Sequence, residues 1–184
     1  MQRNKIPKIL IIAGSDSGGG AGIQADIKAV TYFKGYAMTA ITAITSQNTK
    51  GVQSIFPLPI DHIESQINSV LEDLNPNVIK TGMLADTNVI KMITSKVGEH
   101  KLVVDPVMVA TSGDILVPED CISAIKEMLL PKSFLTTPNL YEAELLSGQK
   151  VNNTEEQIEA AFKILELGVK NVLVKGGHLT NELI

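Results

Sequence analysis

The run from Lys8 to Asp26, KILIIAGSDSGGGAGIQAD, constrains this chain more than any other stretch. Ile9 to Ile12 is an apolar segment of the kind that lies buried on both faces of a sheet. It breaks into Gly14-Ser15-Asp16-Ser17-Gly18-Gly19-Gly20-Ala21-Gly22. Ile23, Ile27 and Val30 then recur at helical spacing, which predicts a helix from near Ala21. So dense a run of glycines removes the Cβ atoms that would hold a ligand off the backbone. Its N–H groups and the helix N-terminus suit a polar or anionic guest; the alternative is a tight strand-to-helix turn with no ligand. The loop lacks the Gly-Lys-Ser/Thr of a P-loop and fits the Gly-x-Gly-x-x-Gly dinucleotide fingerprint badly.

The rest of the chain alternates short apolar strands with amphipathic helices. Ala37 to Thr45 reads as a second strand ending in Ser46-Gln47-Asn48-Thr49, and Phe56 to Ile60, with Pro57 and Pro59, as an extended connector. Asp61 is placed to cap a helix with the stripe Ile63, Ile67, Val70, Leu71 and Leu74, with Glu64 completing a capping box. Val78 to Lys80 is a third strand, followed by Thr81-Gly82-Met83 and a helix marked by Val89, Ile90, Ile93 and Val97. Leu102 to Val104 is a fourth strand ending in Asp105-Pro106; a loop with Ser112-Gly113-Asp114 leads to a helix starting at Pro118. Phe134 to Thr137 is a fifth strand ending in Pro138-Asn139, and Tyr141 to Leu146 a short helix closed by Gly148. Thr154 to Gln157 reads as a capping box for a helix stopped at Gly168, and Val172 to Val174 as a sixth strand ending in Lys175-Gly176-Gly177-His178.

This order predicts an α/β fold with a mostly parallel central sheet and helices on both faces. With 184 residues, 44% of them hydrophobic, and no repeat or linker, one domain over 1–184 is expected. The net charge of −4 argues against nucleic-acid and membrane-surface partners, and no apolar run approaches the ~20 residues of a membrane span. Cys121 is the single cysteine, which excludes internal disulfides and a cysteine-based zinc site and points to a reducing, cytoplasmic setting.

Each strand ends at its carboxyl side in glycine or a short polar group: the Gly14–Gly22 loop, Gln47, Thr81-Gly82, Asp105, Asn139 with Glu142, and Lys175-Gly176-Gly177. The opposite ends are entered through ordinary turns such as Pro76-Asn77 and His100-Lys101. Open α/β sheets bind ligands at the carboxyl edge, so the site is expected there.

Six segments at that edge carry a resemblance. They are Ala13–Asp26, Thr42–Thr49, Lys80-Thr-Gly-Met-Leu84, Val104-Asp-Pro-Val-Met-Val109, Thr137-Pro-Asn-Leu-Tyr-Glu142 and Val174-Lys-Gly-Gly-His178. Together they resemble the ribokinase-like small-molecule kinases and, within them, the hydroxymethylpyrimidine/phosphomethylpyrimidine kinases of thiamine biosynthesis. The resemblance implies a three-layer ribokinase-like fold and ATP- and Mg2+-dependent phosphorylation of 4-amino-5-hydroxymethyl-2-methylpyrimidine, then of its monophosphate. It implies that Gln47 and Asp26 bind the pyrimidine, with Gly14, Ala21, Met83 and Val109 around the ring. It places Asn139 and Lys175 at the nucleotide, Lys175 neutralising phosphate charge, and Asp105 and Glu142 at the metal. His178 reads as surface loop ahead of the alternative, a residue lining the nucleotide side.

In the resembled kinases the pattern continues for roughly another third of its length, with a glycine-rich anion hole, the general base and most of the adenine pocket. The resemblance therefore implies a domain incomplete at its C-terminus, with no general base present; Cys121, in a helix, is not that base. Two alternatives accompany the kinase expectation: a non-catalytic pyrimidine-binding remnant, and a pyridoxal kinase. A homodimer is expected.

Overall fold

The computed structural model describes residues 6–108 and 117–176. They form two compact units, the first built from the chain up to Leu84 together with Val97–Lys101, the second from Ala85–Lys96 and the chain from Leu102 on.

In the first unit, β1 (Lys8–Asp16) is the central strand, parallel to β2 (Tyr36–Asn48) on one side and to β4 (Val78–Thr81) on the other. Leu10, Ile11, Ile12 and Ala13 are buried, which is why this run shows no polar alternation. The strand continues past the predicted boundary, through Gly14 and Ser15 to Asp16. Its register with β2 shifts between Ala13 and Ser15, so that two β2 residues, Thr42 and Ala43, oppose Gly14. Helix α1 (Gly22–Tyr32) packs Ile23 and Ile27 against Ile11 and Ala13 of β1.

The predicted connector Phe56–Ile60 is only partly one: Phe56 and Pro57 end a strand the sequence reading did not place, β3 (Gly51–Pro57), antiparallel to β2 and exposed along its length, and Ile60 already begins the next helix. Val52, Ile55 and Phe56 do not alternate with a period of two, and no Asn-Gly or Asp-Gly marks the turn, so pairing with β2 decides this edge strand. Helix α2 (Ile60–Asp73) buries Ile63 and Ile67, but its N-cap is Pro59 and carries no side-chain capping bond; Asp61 sits inside the first turn, so the predicted capping box is not formed.

The second unit contains α3 (Thr87–Lys96), which buries Val89, Ile90 and Ile93, and, from Leu102 on, a parallel pair, β5 (Lys101–Val104) with β6 (Leu135–Thr136). After Pro118, α4 (Glu119–Ala124) runs into a π-helical turn, Ile125–Leu129, and a 3-10 turn, Leu130–Lys132, which holds Pro131 in its first positions and ends at the extended Ser133. Two more helices follow, α5 (Leu140–Ser147) and α6 (Thr154–Leu165). The cap of α6 is Asn153, whose side chain accepts the Glu156 N–H, and not Thr154. Residues 172–174 make only an isolated bridge, Val172 to Thr136, in place of the predicted sixth strand. The Ser112–Asp114 loop, Val109, Gly177 and His178 lie outside the described residues. Among the described residues no helix is long and apolar enough to cross a membrane.

Candidate functional site

The glycine loop closes on itself before it meets any ligand. The Asp16 carboxylate accepts the N–H groups of Gly18 at 2.7 Å, Gly20 at 2.9 Å and Ala21 at 2.8 Å, while the Asp16 carbonyl takes the Gly19 N–H at 3.0 Å. The expectation of a cradle of open N–H groups for an anion is thereby corrected: these donors are taken by the chain's own carboxylate. Burial pushes the Asp16 carboxyl up, but the N–H groups of Gly18, Ala21, Gly20 and Gly19 outweigh it and hold the group below the usual carboxylate range.

Two glycines are required by this self-packing. A Cβ on Gly22, whose φ is +55°, would lie 2.3 Å from the Gly14 carbonyl oxygen. A Cβ on Gly18 would lie 3.1 Å from the Gln47 carbonyl oxygen, so the missing side chain lets the end of β2 approach the loop.

That approach brings Gln47 to the loop. Its N–H donates to Ser17 Oγ at 2.8 Å, and Ser17 Oγ donates back to the Gln47 carbonyl at 2.8 Å. The side-chain Oε1 lies 3.1 Å from Thr45 Oγ1, whose single hydroxyl hydrogen is shared with the Ser15 carbonyl at 3.0 Å, and its Nε2 makes no hydrogen bond among the described residues. Met83 also reaches the loop: its Cε lies 3.7 Å from where a Gly14 Cβ would stand, and its carbonyl accepts from Thr42 Oγ1. Ala21 is exposed at the mouth of α1. Gln47, Gly14, Ala21 and Met83 thus belong to one neighbourhood around the loop.

Asp26, one turn into α1, has a partner that sequence reasoning missed. Lys80 Nζ lies 2.7 Å from Asp26 Oδ2, with both side chains largely covered. A lysine in the otherwise apolar strand Val78-Ile79-Lys80 was the available signal, because a cation in a sheet interior calls for a counter-charge. Asp16 carries no such signal: in a glycine-rich stretch it reads as one more loop residue, yet it is the group that ties the loop together.

In the second unit, Asp105 follows β5 and accepts on Oδ1 from Lys175 Nζ at 3.0 Å and from Thr137 Oγ1 at 3.3 Å. Asn139 caps α5 in a full capping box: its Oδ1 accepts the Glu142 N–H, and Glu142 Oε2 accepts the Asn139 N–H at 2.7 Å. Glu142 Oε1 takes the Met108 N–H at 3.3 Å. Burial pushes the Glu142 carboxyl above its ordinary value; the Asn139 and Met108 N–H groups and the Lys175 charge pull it down, and the Asp105 charge pushes it up. Asp105, Asn139, Glu142 and Lys175 therefore form one cluster, joined by the Asp105–Lys175 ion pair, the capping box and the charges of both ions on Glu142. Among the described residues no three His, Cys, Asp or Glu side chains form a metal-sized cage. Cys121 is buried in α4, with its thiol pushed up by loss of water.

Parallel strands whose carboxyl ends carry a glycine loop, a lone glutamine and an Asn-x-x-Glu helix cap define a ribokinase-like small-molecule kinase fold. A model of the phosphomethylpyrimidine kinase family matches residues 16–183. The hydroxymethylpyrimidine/phosphomethylpyrimidine kinase of Bacillus subtilis (strain 168) is 44% identical, over 94% of this chain and 65% of the relative. A thiamine biosynthesis bifunctional protein of Geobacter sulfurreducens is 46% identical over 93% of this chain but 36% of its own length. The crystal structure of a phosphomethylpyrimidine kinase from Clostridium difficile 630 superposes with a TM-score of 0.89 at 42% identity, over 97% of this chain and 78% of that one. A Bacillus subtilis pyridoxal kinase in complex with ADP gives 0.88 at 38% identity, over 97% and 69%. The chain belongs to the phosphomethylpyrimidine kinase family.

Proposed function

We propose that this chain binds 4-amino-5-hydroxymethyl-2-methylpyrimidine and its monophosphate at the glycine loop, and serves their ATP-dependent phosphorylation in thiamine biosynthesis. The observation that carries the reading is the convergence of Gln47 with the Ser17–Gly18 turn, in a chain of this family. The Gln47 Nε2 group donates to a ring nitrogen, while Oε1 keeps a lone pair for an N–H. Asp26 accepts from the exocyclic amino or hydroxyl group, and Gly14, Ala21 and Met83 bound the ring.

In the second unit, Lys175 neutralises charge on the nucleotide phosphates, the main requirement of phosphoryl transfer. Asn139 fixes the orientation of Glu142 through the capping box. Asp105 and Glu142 suit magnesium, which on a nucleotide needs one or two carboxylates alongside waters and phosphate oxygens. When bound, the ion draws negative charge off the transferring phosphoryl group.

Calorimetric titration of the full chain with the pyrimidine, with pyridoxal and with magnesium-ATP tests this. Pyrimidine binding that pyridoxal fails to match, together with nucleotide binding, supports the reading. Pyrimidine binding without nucleotide binding identifies a binding remnant; preference for pyridoxal overturns the substrate assignment.

A further inference from the structure

We infer that Lys80 is a positioning residue for the pyrimidine, holding the Asp26 carboxylate as a fixed acceptor with one oxygen presented to the ligand's donor. This rests on the reading of Asp26 as a ligand contact.

The placement is set by strand register. Lys80 pairs with Ile11 across β1 and β4, so both side chains leave the sheet on the face that α1 covers, where Ile11 packs against Ile23 and Ile27. A side chain there is expected to be apolar. Instead the lysine runs beneath α1 to Asp26, 54 positions away in the chain. Gly82 leaves it room: a Cβ at that position would lie 3.0 Å from the Ala13 Cβ and 3.4 Å from Lys80 Nζ. The next residue, Met83, has its methyl against Gly14, which joins the ion pair to the glycine loop.

Stability is a poor explanation for such a pair. Covering two charges costs desolvation, and an apolar pair of the same size commonly does as well or better. What the ion pair supplies is direction. Lys80 occupies Asp26 Oδ2, and Oδ1 takes no hydrogen bond among the described residues. A carboxylate clamped by an ammonium accepts hydrogen bonds and cannot donate one, so it selects a ligand that presents N–H or O–H and rejects one that presents an acceptor.

The test is a double-mutant cycle read by calorimetric titration of the full chain with 4-amino-5-hydroxymethyl-2-methylpyrimidine. Lys80→Met is expected to weaken binding about tenfold, the size of one lost charge-assisted orientation. Asp26→Asn is expected to weaken it at least as much, and the double variant no further than Asp26→Asn alone. Lys80→Arg is expected to restore most of the affinity. Should Lys80→Met fail to fold, Lys80→Gln takes its place in the cycle. Unchanged affinity in Lys80→Met with only a lower melting temperature, or losses from Lys80→Met and Asp26→Asn that multiply, would overturn the proposal. A wild-type chain that binds no pyrimidine sinks the functional reading and this inference with it. Wild-type binding without coupling sinks this inference alone.

Discussion

Ser17 and Gln47, 30 residues apart, exchange two hydrogen bonds through a single hydroxyl: Oγ accepts the Gln47 N–H and donates to the Gln47 carbonyl, both at 2.8 Å. The glutamine backbone is thereby fastened to the loop that opens α1. Ser17→Ala removes both bonds at once. The expected cost is about 1–2 kcal/mol of stability and about tenfold in pyrimidine affinity, because the Gln47 amide loses its fixed base. Thermal melts and calorimetry check this; unchanged affinity would show that the loop does not orient Gln47.

Asp16 makes the loop sensitive to acid. Its carboxyl is held below the ordinary value in the folded chain. The stability it contributes is therefore fully present above the unfolded-state value of about 4 and is lost as pH falls through the lower, folded value. Urea unfolding of wild type and Asp16→Asn from neutral pH down to about pH 3 checks the sign. Wild type is expected to be the more stable at neutral pH, and the gap to narrow only in acid. A gap independent of pH refutes the assignment.

The glycines of the loop are not equivalent. Gly22→Ala places a methyl 2.3 Å from the Gly14 carbonyl oxygen at a φ of +55°, whereas at Gly20 the nearest atom to an added Cβ is Asp16 Oδ2 at 3.8 Å. Gly22→Ala is expected to cost more than about 2 kcal/mol, from the left-handed backbone and the clash together. Gly20→Ala is expected to stay within about 0.5 kcal/mol of wild type. Equal denaturation midpoints for the two variants would contradict the packing described.

Glu142 reports on its neighbours. Burial raises its carboxyl, Lys175 lowers it and Asp105 raises it. Lys175→Met is therefore expected to push the Glu142 titration to higher pH, and Asp105→Asn to lower pH. Carbon-detected NMR of the Glu142 carboxyl measures the order of the three proteins. Magnesium-ATP affinity is expected to fall in Lys175→Met, since a phosphate-facing cation is lost.

Much of this was legible in the chain itself. The buried strand β1, the start of α1, the stripe of α3 and the Gly148 stop of α5 follow from apolar spacing and local caps. The readings that failed lie where local signals compete. Asp61 and Thr154 are good capping residues, yet Pro59 and Asn153 stand at the helix starts. Residues 51–57 are strand because β2 offers them a ladder.

The sequence by itself determined the alternation of buried parallel strands with helices, the set of polar groups at the strands' carboxyl ends, and the family. Those features are written in short-range periodicity and in motifs a few residues long. Only the tertiary structure decided what each polar group holds: Asp16 its own loop, Asp26 the lysine of β4, Asp105 the lysine after residues 172–174. The Asp16 bonds stay within five positions, but the two ion pairs span 54 and 70. They are set by strand register and by the need of each covered charge for a partner, neither of which any single stretch of chain contains.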